Sequence, residues 1–140
     1  MEISEIGDAD IEAVVDLWRR CDLTRPWNDP YADIALARRS QDAAVLIGRD
    51  GGAMVATAML GHDGHRGWVY YLAVEAARRR CGYGREMMQA VEAWLAARGV
   101  PKLQLMVRSA NTQVLAFYAA LGMDEQQVVV FGKWIDGRRP

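Results

Sequence analysis

Val69-Tyr70-Tyr71-Leu72-Ala73-Val74-Glu75-Ala76-Ala77-Arg78-Arg79-Arg80-Cys81-Gly82-Tyr83-Gly84-Arg85 is the stretch that decides the fold. It reads as a buried strand, a short basic turn with glycines, and the start of a long helix. The strand rests on β-branched and aromatic residues in a short apolar run. Downstream, Met87, Val91, Trp94, Leu95 and Arg98 recur at the spacings of an amphipathic helix. Gly82 and Gly84 carry no side chain, so the backbone there can come close to a ligand. A helix N-terminus presents unpaired N–H groups and the positive end of its dipole, which attract phosphate. Arg78, Arg79 and Arg80 stand beside that turn. The pattern predicts a diphosphate cradle.

The helix, 83–98, ends at Gly99 with Pro101 beyond it, and Leu103, Leu105 and Val107 then alternate as a fifth strand. Two strands joined by a helix should be parallel, with a right-handed crossover. Working back from the fourth strand, 68–74, a polar turn at 61–67 precedes it. Strands at 43–49 and 53–60 flank Asp50-Gly51-Gly52, a hairpin turn. Asp29-Pro30 starts a short helix that runs to about Arg39: a capping carboxylate, then proline at the first helical position. Before it, 2–6 reads as a first strand. Asp8 is placed to cap a helix with the stripe Ile11, Val14, Val15 and Trp18. After the fifth strand, Asn111 caps a last helix with the stripe Val114, Phe117, Tyr118 and Leu121, and Gly122 ends it. A closing strand at 127–135 and a polar tail at 136–140 complete the chain.

The 140 residues make one domain, 1–140, by the usual prior, with 51% apolar and 25% charged residues. A net charge of -1 argues against a protein built to hold nucleic acid. No apolar run approaches the roughly 18 residues a membrane span needs. The N-terminus is acidic and unlike a signal peptide, so a cytoplasmic location is expected. Cys21 and Cys81 make neither a disulfide framework nor a metal cluster. His62 and His65 lack a third ligand of matching type nearby, so no metal is expected.

Paired glycines alone are common at turns into helices, and two alternatives can be tested directly. A dinucleotide fingerprint needs a third glycine at 87, where the chain has Met87. A Walker-type loop needs Gly-Lys-Ser/Thr, which is absent. Arg79-Arg80-Cys81-Gly82-Tyr83-Gly84 instead resembles the Arg/Gln-x-x-Gly-x-Gly/Ala signature of the GNAT acetyltransferases, which bind the pyrophosphate of acetyl-coenzyme A. Leu72-Ala73-Val74 is similar to the family's Leu-x-Val on the preceding strand. Asn111, Phe117-Tyr118 and Leu121-Gly122 resemble its second block, in the family's order and spacing. Trp27-Asn28-Asp29-Pro30, Asp63-Gly64-His65-Arg66-Gly67 and Tyr70-Tyr71-Leu72 resemble a YpeA-type subgroup. The chain departs from the common signature at Cys81, where many relatives carry arginine or lysine, and at Arg80, where glycine is frequent. Backbone N–H groups tolerate both changes.

The resemblance implies an α/β GNAT fold in the order β-α-α-β-β-β-α-β-α-β, with four helices and a mixed sheet splayed between strands four and five. It implies acetyl-coenzyme A as co-substrate and direct transfer of acetyl to a primary amine of a small molecule or protein. The co-substrate would be held by Leu72, Ala73, Val74, Arg79, Arg80, Cys81, Gly82, Tyr83, Gly84, Arg85 and Asn111. Tyr118 is then the candidate general acid toward the departing thiolate. It also sits on the helix's apolar stripe, where the plain alternative is a core aromatic. The glutamate that some relatives place before Val-Arg on strand five is Met106 here. The base is therefore sought near the N-terminal end of strand four, at Asp63 and His65, whose imidazole has an ordinary pKa of about 6.5. Asp63-Gly64 is equally what a tight turn needs. Trp27, Asn28 and Tyr70 are candidates for the acceptor wall, with Trp27 plugging the domain end as the plain alternative. A homodimer is compatible with this pattern. A non-catalytic acyl-coenzyme A sensor is the rival class, separated by turnover.

Overall fold

The structure is a computed structural model and describes residues 1–138. The end of the expected polar tail, 139–140, lies outside the described residues. The chain divides into two units, Met1–Leu105 and Met106–Pro140.

The first unit is built on a five-stranded sheet of β1 (Glu2–Glu5), β2 (Ala43–Asp50), β3 (Ala53–His62), β4 (Gly67–Val74) and β5 (Leu103–Gln104), paired in that order. All neighbours are antiparallel except β4 and β5, which are parallel as the crossover requires. Helices α1 (Ile11–Arg20) and α2 (Pro30–Arg39) connect β1 to β2, and α3 (Tyr83–Ala96) connects β4 to β5. Local chemistry explains most boundaries. Asp29 Oδ1 accepts from the N–H groups of Tyr31 and Ala32, and Pro30 opens α2. Gly51 and Gly52 both take positive φ, the mirror-image turn whose twist suits a hairpin.

The start of α1 differs from expectation. Asp8–Asp10 forms a single 3-10 turn, and Asp10 Oδ2, rather than Asp8, accepts from the backbone at Gly7, at 2.8 Å. The carboxylate thus serves the 3-10 turn, and α1 itself begins without a side-chain cap.

Both faces of the sheet are covered. Val14, Val15, Leu17 and Trp18 of α1 and Ile34 and Ala37 of α2 cluster with Val45, Ile47 and Ala73. Ala44 and Leu46 alternate with Val45 and Ile47 and are also buried, so they face the other side. There α3 packs on β3 and β4 through the buried Met87, Met88, Val91 and Leu95. Gly67 marks the tightest approach: a Cβ there would lie 2.5 Å from Leu95 Cδ1.

Strand β4 carries two irregularities. Its ladder with β5 covers only Gly67–Leu103 and Trp68–Gln104, while β4 continues to Val74. The expected fifth strand is thus shorter than the alternation of Leu103, Leu105 and Val107 implied. A period of two persists in extended chain whether or not a neighbour completes its hydrogen bonds. The second irregularity is a bulge. Met59 pairs with Tyr70 and Thr57 with Ala73, so Tyr71 and Leu72 together oppose Ala58, and Tyr71 has φ +53°.

In the second unit, α4 (Thr112–Ala120) is capped by Asn111, whose side chain accepts from Val114 N–H. It ends in a left-handed Gly122, with Met123 N–H bonded to Tyr118 O and Gly122 N–H to Ala119 O, as the sequence predicts. The closing strand expected at 127–135 is not formed: the described residues there are exposed, Phe131 and Ile135 at 94% each. An apolar run becomes a strand only where a neighbour supplies ladder partners, and this segment has none among the described residues.

Candidate active site

The cradle forms where β4 runs into α3. After Val74, the N–H of Glu75 bonds to Val55 O at 2.8 Å, and Ala76–Arg78 makes one 3-10 turn. Arg80 and Gly82 then take left-handed φ of +65° and +83°, and α3 begins at Tyr83. No side chain caps α3, in contrast to α2 and α4. Its first N–H groups have no partner within the helix and are left to a ligand. A Cβ built on Gly82 would meet nothing within 4 Å, so the space above the turn is open. An uncapped helix end under open space fits a diphosphate.

The three arginines divide their work. Arg78 Nη1 pairs with Asp50 Oδ2 at 2.8 Å, and the Tyr83 hydroxyl donates to the same oxygen. Asp50, the last residue of β2, thereby ties both ends of the 79–82 loop. Tyr83's hydroxyl and Arg78's charge hold its carboxyl below the usual range. Arg79 Nε donates to Val74 O, bracing the loop against the strand end. Arg80 and Arg85 have no hydrogen bond or ion pair among the described residues, which leaves their charge for a ligand. Cys81 is exposed. Glu75 is held below the ordinary carboxylate range by its bond to Arg20.

At the other end of β4, Asp63 organises its own turn. Its Oδ1 accepts from His65 N–H at 2.9 Å and Arg66 N–H at 2.7 Å, while Oδ2 accepts from Trp68 Nε1 at 3.4 Å. Those backbone bonds, led by Arg66, hold the carboxyl below its usual range. Gly64 supplies the positive φ. His65 is exposed, with Nδ1 3.5 Å from Arg66 Nη1. Tyr70 is 45% exposed, and burial together with Asp63's charge raises its hydroxyl. Trp27 and Asn28 are half-buried in the loop between α1 and α2, where Asn28 N–H bonds to Arg25 O.

Between these ends lies a network that the sequence does not announce. Thr57, fully buried, accepts from Trp18 Nε1 at 2.8 Å and donates to Tyr71 O at 3.0 Å. The Tyr71 ring stacks on Trp18 at 3.8 Å, and its hydroxyl donates to Asp33 at 2.7 Å. Burial first, and Asp33 second, push the Tyr71 hydroxyl well up. The one local hint is a threonine inside the apolar run of β3.

The first unit thus brings the strand residues Leu72, Ala73 and Val74 and the loop residues Arg79 to Arg85 into one continuous segment. Asn111 and Tyr118 belong to the second unit. Asn111 is a helix cap, as expected. Tyr118 packs edge-on against Phe117 at 5.0 Å, and burial pushes its hydroxyl up to about 12. Among the described residues no group of three or more His, Cys, Asp or Glu is placed to hold a metal ion. No described helix is long and apolar enough to cross a membrane.

Comparison with known proteins agrees with this arrangement. Residues 11–123 match the acetyltransferase (GNAT) family model. Over 133 residues the chain is 41% identical to acetyltransferase YE1169 of Yersinia enterocolitica, covering 95% of this chain and 94% of that protein. The aminoglycoside 6'-N-acetyltransferase AAC(6')-IG of Acinetobacter haemolyticus has the same fold, with TM-score 0.79 at 19% identity, over 97% of this chain and all (100%) of that one. AAC(6')-Iy, solved with a bisubstrate analogue built on coenzyme A, matches at TM-score 0.80 and 19% identity, over 95% of this chain and 97% of that one. The chain belongs to the GNAT acetyltransferase family.

Proposed function

We propose that the protein is an acetyl-coenzyme A-dependent N-acetyltransferase that passes acetyl directly to a primary amine. The observation that carries this reading is the uncapped N-terminus of α3 beneath open space at Gly82, directly after β4. Acetyl-coenzyme A is the co-substrate. Its diphosphate takes the free N–H groups of α3, with Arg80 and Arg85 adding charge. The pantetheine arm runs along β4, where the β5 ladder stops at Trp68–Gln104 and the backbone at 72–74 can hydrogen-bond its amides. An N–H there also polarises the thioester carbonyl.

An amine nucleophile is protonated at neutral pH and must lose a proton before it attacks. Asp63 spends its oxygens on the 61–67 turn, so we assign it to shaping that turn. His65, exposed on the same turn, is separated from the amides at 72–74 by roughly 16 Å of β4 at about 3.3 Å per residue. That is beyond direct or one-water proton transfer, so we do not assign His65 as the proton acceptor. Tyr118 assists the departing thiolate. With its hydroxyl pushed up to about 12, it is a weaker acid than an ordinary thiol at about 8.5. Its contribution is therefore a hydrogen bond to the thiolate rather than complete proton transfer. Trp27, Asn28 and Tyr70 wall the acceptor side. The acceptor is a small amine, and amino sugars belong in the first panel because two fold neighbours are aminoglycoside acetyltransferases.

The test is binding followed by turnover. Acetyl-coenzyme A at about 100 times its Kd should stabilise the fold by about 2.7 kcal/mol. Gly82→Asp is strained at φ +83° although its Cβ has open space; it puts a negative charge into the cradle and should abolish that stabilisation. A folded variant that keeps the full shift would refute the cradle. Release of coenzyme A with at least one amine of the panel separates an enzyme from a sensor.

A further inference from the structure

We propose that Trp18, Thr57 and Asp33 are positioning residues for acetyl transfer. They hold Tyr71 in the left-handed conformation that kinks β4, and thereby set which backbone N–H groups of 72–74 face the strand's free edge. The inference rests on the reading of β4 as the strand that receives acetyl-coenzyme A.

Tyrosine rarely adopts positive φ, and Tyr71 does so at +53° in the middle of a strand. It is gripped at three points by three elements. Thr57 of β3 donates its only hydroxyl proton to the Tyr71 carbonyl, while its lone pair takes Trp18 Nε1–H. Trp18 of α1 lies flat against the Tyr71 ring, with 6° between the planes. Asp33 of α2 accepts from the Tyr71 hydroxyl. Thr57 is 0% exposed, and both its hydrogen-bonding directions serve this one residue or its stacking partner. Thr57 also satisfies the buried Trp18 Nε1–H, which valine would leave unpaired. That need concerns the indole and does not require the left-handed Tyr71, whose carbonyl takes the hydroxyl's one proton. A strained residue over-determined by its surroundings points to use of the strain.

The kink's effect follows from strand geometry. One extra residue in β4 between the pairs Met59–Tyr70 and Thr57–Ala73 reverses the alternation for everything after it. Amides at 72–74 that a regular strand would give to β3 are turned outward, and the others inward. The parallel ladder with β5 ends before this point, so the reversed stretch is the one whose second edge lacks a ladder. If Tyr71 relaxes, the wrong amides face the thioester while the cradle at 79–85 is unchanged.

Thr57→Val removes the hydroxyl and keeps the shape; Thr57→Ser restores it. With the best amine of the panel, Thr57→Val should lower kcat about tenfold or more, and Kd for acetyl-coenzyme A should move less than about threefold. Thr57→Ser should return kcat to within about threefold of the parent. Asp33→Ala, on the helix surface side of the network, should also lower kcat, whereas Asp33→Asn keeps an acceptor for Tyr71 and should not. A parent-like kcat in Thr57→Val or, should that variant not fold, in Asp33→Ala overturns the inference. So does a loss confined to acetyl-coenzyme A affinity, or an equal loss in Thr57→Ser. Crystal structures of Thr57→Val and Asp33→Ala decide without turnover: Tyr71 should leave the left-handed region in at least one. If φ stays near +53° in both, the inference fails even where the parent transfers acetyl. If the parent transfers to no amine while Tyr71 relaxes as expected, the proposed function is what fails.

Discussion

Tyr118 shows how far one side chain's chemistry can be read from its surroundings. Burial disfavours its phenolate and pushes the hydroxyl up to about 12, so the neutral form prevails throughout the working range of an enzyme. Two outcomes are expected. Tyr118→Phe keeps the ring and the edge contact with Phe117, so acetyl-coenzyme A affinity should hold while kcat falls about 10²-fold. The pH profile of kcat should show no alkaline loss near 10, where an ordinary tyrosine ionises. The linkage to stability has the same sign. The native state keeps a proton that the unfolded chain loses near 10, so the contribution is complete below that pH. It is lost as pH rises through about 12. Full activity in Tyr118→Phe would return the residue to the role of a packed aromatic. Its place on the last helix was legible from the apolar stripe and the Asn111 and Gly122 boundaries, whereas its raised pKa was not, since burial is a property of the folded chain.

At the scale of elements, the β4–α3–β5 unit joins the cradle to the core. Its tightest point is Gly67, where a Cβ would lie 2.5 Å and 2.9 Å from the two methyls of Leu95. Leu95 is 2% exposed and cannot swing into solvent. Gly67→Ala should therefore destabilise the fold by about 1–3 kcal/mol, the ordinary cost of overpacking. The cradle sits at the opposite end of both β4 and α3, so acetyl-coenzyme A affinity per folded molecule should be unchanged. Chemical denaturation beside calorimetric titration checks both halves, and a variant of parent stability would show that Leu95 has room to move. What was legible at this scale was local: the Asp29-Pro30 cap, the paired glycines of the β2–β3 turn, the Gly122 stop, and the strand-to-helix run itself. Each is decided by neighbours within a few residues. The Tyr71 kink, the Thr57 hydroxyl and the Asp50 tie to Arg78 and Tyr83 were hidden, because strand pairing brings together residues far apart in sequence. The 127–135 segment and the far half of the fifth strand were misread for a related reason. Alternation announces a strand but does not provide its neighbour.

At the scale of the whole molecule the question is the order of events in transfer. Direct attack requires both substrates on the protein at once, whereas a covalent relay requires a nucleophile that carries acetyl between them. The chain has two cysteines, Cys21 and Cys81. Cys81 is exposed in the 79–82 loop, which the proposed binding mode puts at the diphosphate end of the co-substrate. Cys21 has its sulfur 3.6 Å from Val74 O and 3.8 Å from Arg79 Nη2, at the C-terminal end of α1 rather than in the 79–82 loop. A nucleophile must come within about 3–3.5 Å of the carbonyl it attacks. In the proposed binding mode the cradle holds the diphosphate and the strand holds the arm, which carries the acetyl group away from Cys81. Initial rates measured against both substrates should therefore give intersecting double-reciprocal lines. The double variant Cys21→Ala/Cys81→Ala should keep kcat within about threefold of the parent. Protein incubated with acetyl-coenzyme A alone should show no acetylated cysteine by mass spectrometry. Parallel lines together with a trapped acetyl-cysteine would establish a relay and remove direct transfer from the proposed function, while leaving the cradle assignment to stand on its own binding test.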